Sequence, residues 1–146
     1  MDYQKLKQEI DSGPLAAECV GKTDTEIAEL LNAMTGQMVQ TRFITARTIL
    51  AELPDAANIL DKLDAVAANI PSVKWAMRYL IGETGIDIGH PGTRQQIEAL
   101  QTAGVLTADE ATGLLNMAVF PASRTEIIGL GAVSAGDVSR AQRGPY

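Results

Sequence analysis

The sequence predicts a mainly α chain, a compact bundle of about seven to eight short helices with one candidate short extended arm. Helix starts are announced by a hydroxyl residue with an acid three positions later: Thr23 with Glu26, Thr107 with Glu110, Ser123 with Glu126, and Ser134 with Asp137. In that pattern the hydroxyl and the carboxylate satisfy the unpaired amides of a first helical turn. Apolar residues also recur at three- and four-residue spacing along most of the chain. Hydrophobic residues make up 46% of the sequence, yet it has only one Trp, three Tyr and two Phe, so the core must be built from Ala, Leu, Ile, Val and Met. Small and aliphatic side chains suit close helix packing.

Taken in order, Tyr3, Leu6 and Ile10 mark an opening helix that stops at Ser12-Gly13-Pro14. Residues 15–22 give no clear signal. Thr23 then caps a helix through Ile27, Leu30 and Leu31. From Gly36 to Thr45 the period changes, and Val39, Thr41, Ile44 and Thr45 around Phe43 predict an extended arm or a short edge strand. Residues 46–53 read as a helix through Ile49, Leu50 and Leu53. Pro54 suits the start of the next, an amphipathic run with Ile59, Leu60, Leu63, Val66, Ala67 and Ile70 on one stripe and Asp61, Lys62 and Asp64 on the other side.

Pro71 ends that run, and residues 72–81 form a helix carrying Val73, Trp75, Ala76, Tyr79 and Leu80, with Gly82 placed for a left-handed C-terminal residue. The glycine-rich stretch 82–92 predicts a long loop and the best internal hinge of a single domain covering residues 1–146. Residues 93–103 and 107–119 make a helical hairpin separated by Gly104. After Pro121, Ser123 caps a short helix ended by Gly129 and Gly131. Ser134 caps a final helix to about Gln142, and residues 143–146 are a tail.

The formal charge of −6 and the isoelectric point near 4.7 argue against nucleic acid or anionic lipid as a partner, because both need a positive stripe. Cys19 is the single cysteine, so no intrachain disulfide forms and a reducing compartment is expected. The first residues have neither a basic leader nor an apolar run, and no stretch approaches the roughly 18 apolar residues of a membrane span, so the expectation is a soluble chain.

The same residues offer little chemistry. The lone His90, before Pro91, fits a cap or loop position better than a metal site. Cys19 has no local base to activate it and reads as a buried thiol. The glycines of 82–89 and 129–136 lack the lysine ending of a phosphate loop and the βαβ frame of a dinucleotide site. Glu83 and Asp87 match no calcium loop. The two helices after Pro121 have too few basic residues for a DNA reader. Arg42, Arg47, Arg78, Arg94 and Arg124 are spread along the chain, equally suited to salt bridges with its acids or to subunit contacts. No catalytic residue, cofactor site or metal site is therefore expected.

Several short segments carry a resemblance. Tyr3-Gln4-Lys5-Leu6-Lys7-Gln8-Glu9-Ile10 with Gly13-Pro14-Leu15, Ile27-Ala28-Glu29-Leu30-Leu31-Asn32, and Arg42-Phe43-Ile44-Thr45-Ala46-Arg47 look like the front of a loose group of small helical proteins encoded by tailed bacteriophages. Pro121-Ala122-Ser123-Arg124-Thr125-Glu126, Gly129-Leu130-Gly131 and Val133-Ser134-Ala135-Gly136-Asp137-Val138 look like its close, while residues 55–92 lie outside the likeness. Genes of that group tend to lie among virion structural genes, near tail or fibre genes. The resemblance thus implies a non-enzymatic virion protein associated with tail, neck, baseplate or fibre, made in the bacterial host cytoplasm and then carried in the particle. Its expected partners are other virion subunits, with a homo-oligomer or symmetric ring, and neither nucleic acid nor membrane.

Met38, Val39, Arg42, Phe43 and Ile44 are the candidate docking arm, since exposed β-prone apolar surface usually needs a partner; the alternative is that they pack on their own core. A second functional reading is a phage-encoded inhibitor or regulator that binds a host protein in the infected cell.

Overall fold

The computed structural model describes residues 1–145 and bears out the mainly α class. Among these residues there are ten helices and four short strands. The count exceeds seven to eight partly because the one-turn α2 (Ala16–Cys19) leaves too little periodicity to register in sequence, whereas α9 (Arg124–Ile127) is the short helix expected after Ser123.

The chain divides into two compact units rather than folding about a boundary near 82–92. The first takes Met1–Met38 together with the segment from Phe120 onward; the second is Val39–Val119. The chain passes from one to the other within β1 (Gly36–Val39) and returns within β4 (Val119–Ala122), and these strands pair. β4 was hidden in sequence because Pro121 sits inside it and the run is only four residues long.

In the first unit, α1 (Tyr3–Ser12), α3 (Asp24–Asn32) and α10 (Ala135–Arg143) pack around Leu6, Ile10, Ile27, Leu31 and Val138. Capping boxes start α3, α9 and α10 at Thr23, Ser123 and Ser134, as the spacing predicts. The hydrogen bonds from Ser134, joined by one from the Tyr3 hydroxyl, hold the Asp137 carboxyl below its usual range. Asn32 fastens the chain before α10: its Oδ1 accepts from the Val133 amide at 2.9 Å and its Nδ2 donates to the Val133 carbonyl at 2.7 Å. Arg124 pairs with the buried Glu9, and Arg143 reaches Asp24 at 2.6 Å. Arg143 therefore closes α10 instead of starting a tail, while Tyr146 lies outside the described residues.

In the second unit, α4 (Ala46–Glu52), α5 (Ala56–Ala67), α6 (Pro71–Ile81), α7 (Pro91–Thr102) and α8 (Ala108–Asn116) surround Ile44, Ile49, Ile59, Leu106, Ala111 and Leu114. α5 packs along α6, and α7 packs on α8. Pro71 opens α6 rather than merely ending α5, because its missing N–H costs nothing in a first turn. Thr107 and Glu110 form the expected capping box of α8, and the Glu110 carboxylate also accepts from Lys62 on α5 at 2.6 Å.

The 82–92 stretch is not an open loop. β3 (Ile86–Asp87) pairs antiparallel with β2 (Phe43–Ile44), with Phe43 opposite Asp87 and Ile44 opposite Ile86. Its glycines permit close backbone approach. A Cβ on Gly85, at φ +75°, would lie 2.3 Å from the Ile44 carbonyl oxygen, and one on Gly89 would lie 2.0 Å from that of Gln40. Gly82, expected in the left-handed region, is extended instead (φ −71°, ψ 178°) and donates its N–H to the Arg78 carbonyl.

Candidate docking surface

The predicted arm is held along its own unit. The Arg42 amide donates to Asp87 Oδ1 at 3.1 Å, and its carbonyl accepts from the Ile88 amide at 2.9 Å. Its guanidinium forms a two-pronged pair with Glu52 and donates to the Met117 carbonyl at 2.8 Å. Ile44 is fully buried in the core. Arg42 and Ile44 are thus satisfied within a short ladder of this unit, in line with the alternative that they pack on their own core. Strand alternation turns Phe43 outward, 63% exposed, and Val39 is exposed as well. Met38, half-buried, belongs to the first unit.

The larger exposed apolar surface lies on α6, where periodicity alone did not single it out. Val73, Met77 and Leu80 form the buried stripe of this helix. Trp75 and Tyr79, one turn apart, occupy a second stripe and are 54% and 58% exposed. Arg78 lies over the Trp75 ring, 4.3 Å from its centre, so the indole carries a stacked cation. Lys74 is exposed beside them. The signal was present in sequence as two apolar stripes on one eleven-residue helix, of which a single core can cover only one.

The remaining candidates resolve into structural roles. His90 is the N-cap of α7, its Nδ1 accepting from the Gly92 amide at 3.0 Å. Cys19 is buried, and burial, followed by the nearby Glu18 and Glu9 carboxylates, pushes its thiol up, away from nucleophilic thiolate. Asp87 Oδ1 accepts from the Arg42 and Gly89 amides and so organises the β2–β3 ladder; it is not brought together with Glu83 by any shared contact. Arg94 donates to the Leu115 carbonyl at 2.8 Å, and Arg140 to the Tyr3 hydroxyl at 3.1 Å.

Within the second unit an apolar cavity of about 50 Å³ lies among Ile44, Met77, Leu80, Ile97, Leu100 and Leu114. Ligand pockets run to roughly 300–1,000 Å³, so this void is a packing gap. Among the described residues no three His, Cys, Asp or Glu side chains come together as metal ligands, and no helix is long and apolar enough to cross a membrane. In comparison with known proteins, the chain matches no family model, no curated protein and no solved structure.

Proposed function

We propose that this protein is a non-enzymatic assembly subunit that works by docking, and that its setting is the particle of a tailed bacteriophage. One observation carries the docking part. Three of the six aromatic side chains, Phe43, Trp75 and Tyr79, are more than half exposed in the second unit, although the core there is built from aliphatic side chains alone. Aromatic residues concentrate binding energy when a partner covers them. The phage setting rests on the segments at both ends of the chain that look like small proteins encoded among virion structural genes.

Quantitative mass spectrometry of purified virions of the encoding phage, scaled to the major capsid protein, tests the proposal. A fixed copy number matching a small ring or fibre set is the expected result. A chain abundant in infected cells and missing from particles would overturn the virion role in favour of a host-directed inhibitor.

A further inference from the structure

We infer that the outer face of the α5–α6 hairpin is a two-fold interface with a second copy of this chain, α6 of each copy lying on α5 of the other. The inference rests on the docking reading above and names its surface, partner and symmetry. α5 and α6 pack together, and each turns an exposed row away from the core. The α6 row is basic and aromatic: Lys74, Trp75, Arg78 and Tyr79, with no acid on the helix. The exposed α5 row is acidic and small, with Asp61 and Asp64 between Ala57 and Ala65. None of Asp61, Asp64, Lys74 and Arg78 enters an ion pair among the described residues, although five other pairs are formed.

The charges choose the register. Two copies meeting α6 to α6 would bring Lys74 and Arg78 against the same cations, which disfavours that contact. Turning the hairpin so that α6 covers the partner's α5 pairs both cations with both acids, and a two-fold axis makes the contact twice. The alanines of α5 leave room for the Trp75 and Tyr79 rings, which become the buried anchors of the interface.

Sedimentation velocity of the full chain, from about 1 to 100 µM, reads this directly. The wild-type chain is expected to form a reversible dimer. K74E/R78E and D61K/D64K should each weaken it by about 100-fold or more, through like charges brought together. An equimolar mixture of the two variants should restore it, since every contact across the interface is then again between opposite charges. A wild-type monomer throughout the range, a D61K/D64K chain that associates normally, or a mixture that stays monomeric would each overturn the interface.

Carbodiimide coupling of mixed isotope-labelled and unlabelled wild-type chains gives a reading free of mutation. A link between Lys74 of one chain and Asp61 or Asp64 of the other supports the interface, and its absence from a cross-linked dimer refutes it. Presence in particles of a chain that remains monomeric would sink this interface and leave the docking role standing. A dimer missing from particles would do the reverse for the virion role.

Discussion

Replacing Glu110 by Gln removes one charge from the second unit without changing its shape. Glu110 Oε1 accepts from Lys62 Nζ at 2.6 Å and from the Thr107 amide at 2.9 Å, while the side chain is only 5% exposed. The hydrogen bond from Lys62, then that from Thr107, hold its carboxyl down at about 2 against an ordinary 4.5. A carboxyl lowered that far stabilises the folded chain at neutral pH by about 3 kcal/mol as a ceiling. Lys62 is 30% exposed, and water screens the pair; about 1–2 kcal/mol is the expected share. Because the folded value is the lower one, this stabilisation is full above 4.5 and drains away as pH falls to about 2. Urea unfolding followed by Trp75 fluorescence, which reports on the same unit, measures it. At pH 7 the midpoint of E110Q should fall by roughly 0.5–1.5 M, and the gap from wild type should close by about pH 2. An unchanged midpoint at pH 7, or a gap that persists at pH 2, would refute the assignment of that stability to the Glu110 carboxylate.

Further expectations follow from local geometry. Leu114→Ala borders the existing cavity and cannot collapse it, so it should cost about 3–5 kcal/mol in urea unfolding. Asn32→Ala leaves the Val133 amide and carbonyl without their partner and should cost about 1–3 kcal/mol, read by amide exchange at Val133. Gly85→Ala should break the β2–β3 pairing, whereas Gly21→Ala, at the same φ but with nothing within 4 Å, should cost only about 1 kcal/mol; equal losses for the two would count against a close-approach role for Gly85. Ser134→Ala should lower stability by about 1 kcal/mol through loss of the α10 cap, with amide exchange at Asp137 as the readout.

What the sequence made legible was local. A capping box is written in four consecutive residues, so Thr23, Thr107, Ser123 and Ser134 could be read without knowing any tertiary contact. The β2–β3 ladder could not, because its two-residue strands are too short for alternation and their partners lie more than forty residues apart. Gly85 and Gly89 were visible, but as loop residues; only the carbonyls of Ile44 and Gln40 reveal why a side chain cannot stand there. The division into two units was hidden for a similar reason, since the first unit joins the two ends of the chain. In α6 the periodicity was clear but ambiguous, as Val73–Met77–Leu80 and Trp75–Tyr79 are both apolar at helical spacing. Burial decided between them, and so moved the candidate surface from the 38–44 arm to the helix.

The arginines and lysines show why that shift matters. From sequence, their spread suited internal salt bridges and subunit contacts equally. In the second unit Arg42 and Lys62 are taken up by Glu52 and Glu110, and Arg94 by backbone carbonyls. The cations left over are Arg47, beside the C-terminal end of α6, and Lys74 and Arg78 on α6 itself. In the second unit, where Arg42, Lys62 and Arg94 are taken up internally, Lys74 and Arg78 stand with two exposed aromatic rings on α6, so this face carries positive charge on an acidic chain. Such a face attracts acidic surface and is repelled by copies of itself, so close like-to-like stacking of α6 is disfavoured while α5, with its unpaired aspartates, is a matched counterpart. Charge therefore sets which face the aromatic rings can bury, and the rings supply the area that charge alone would not hold.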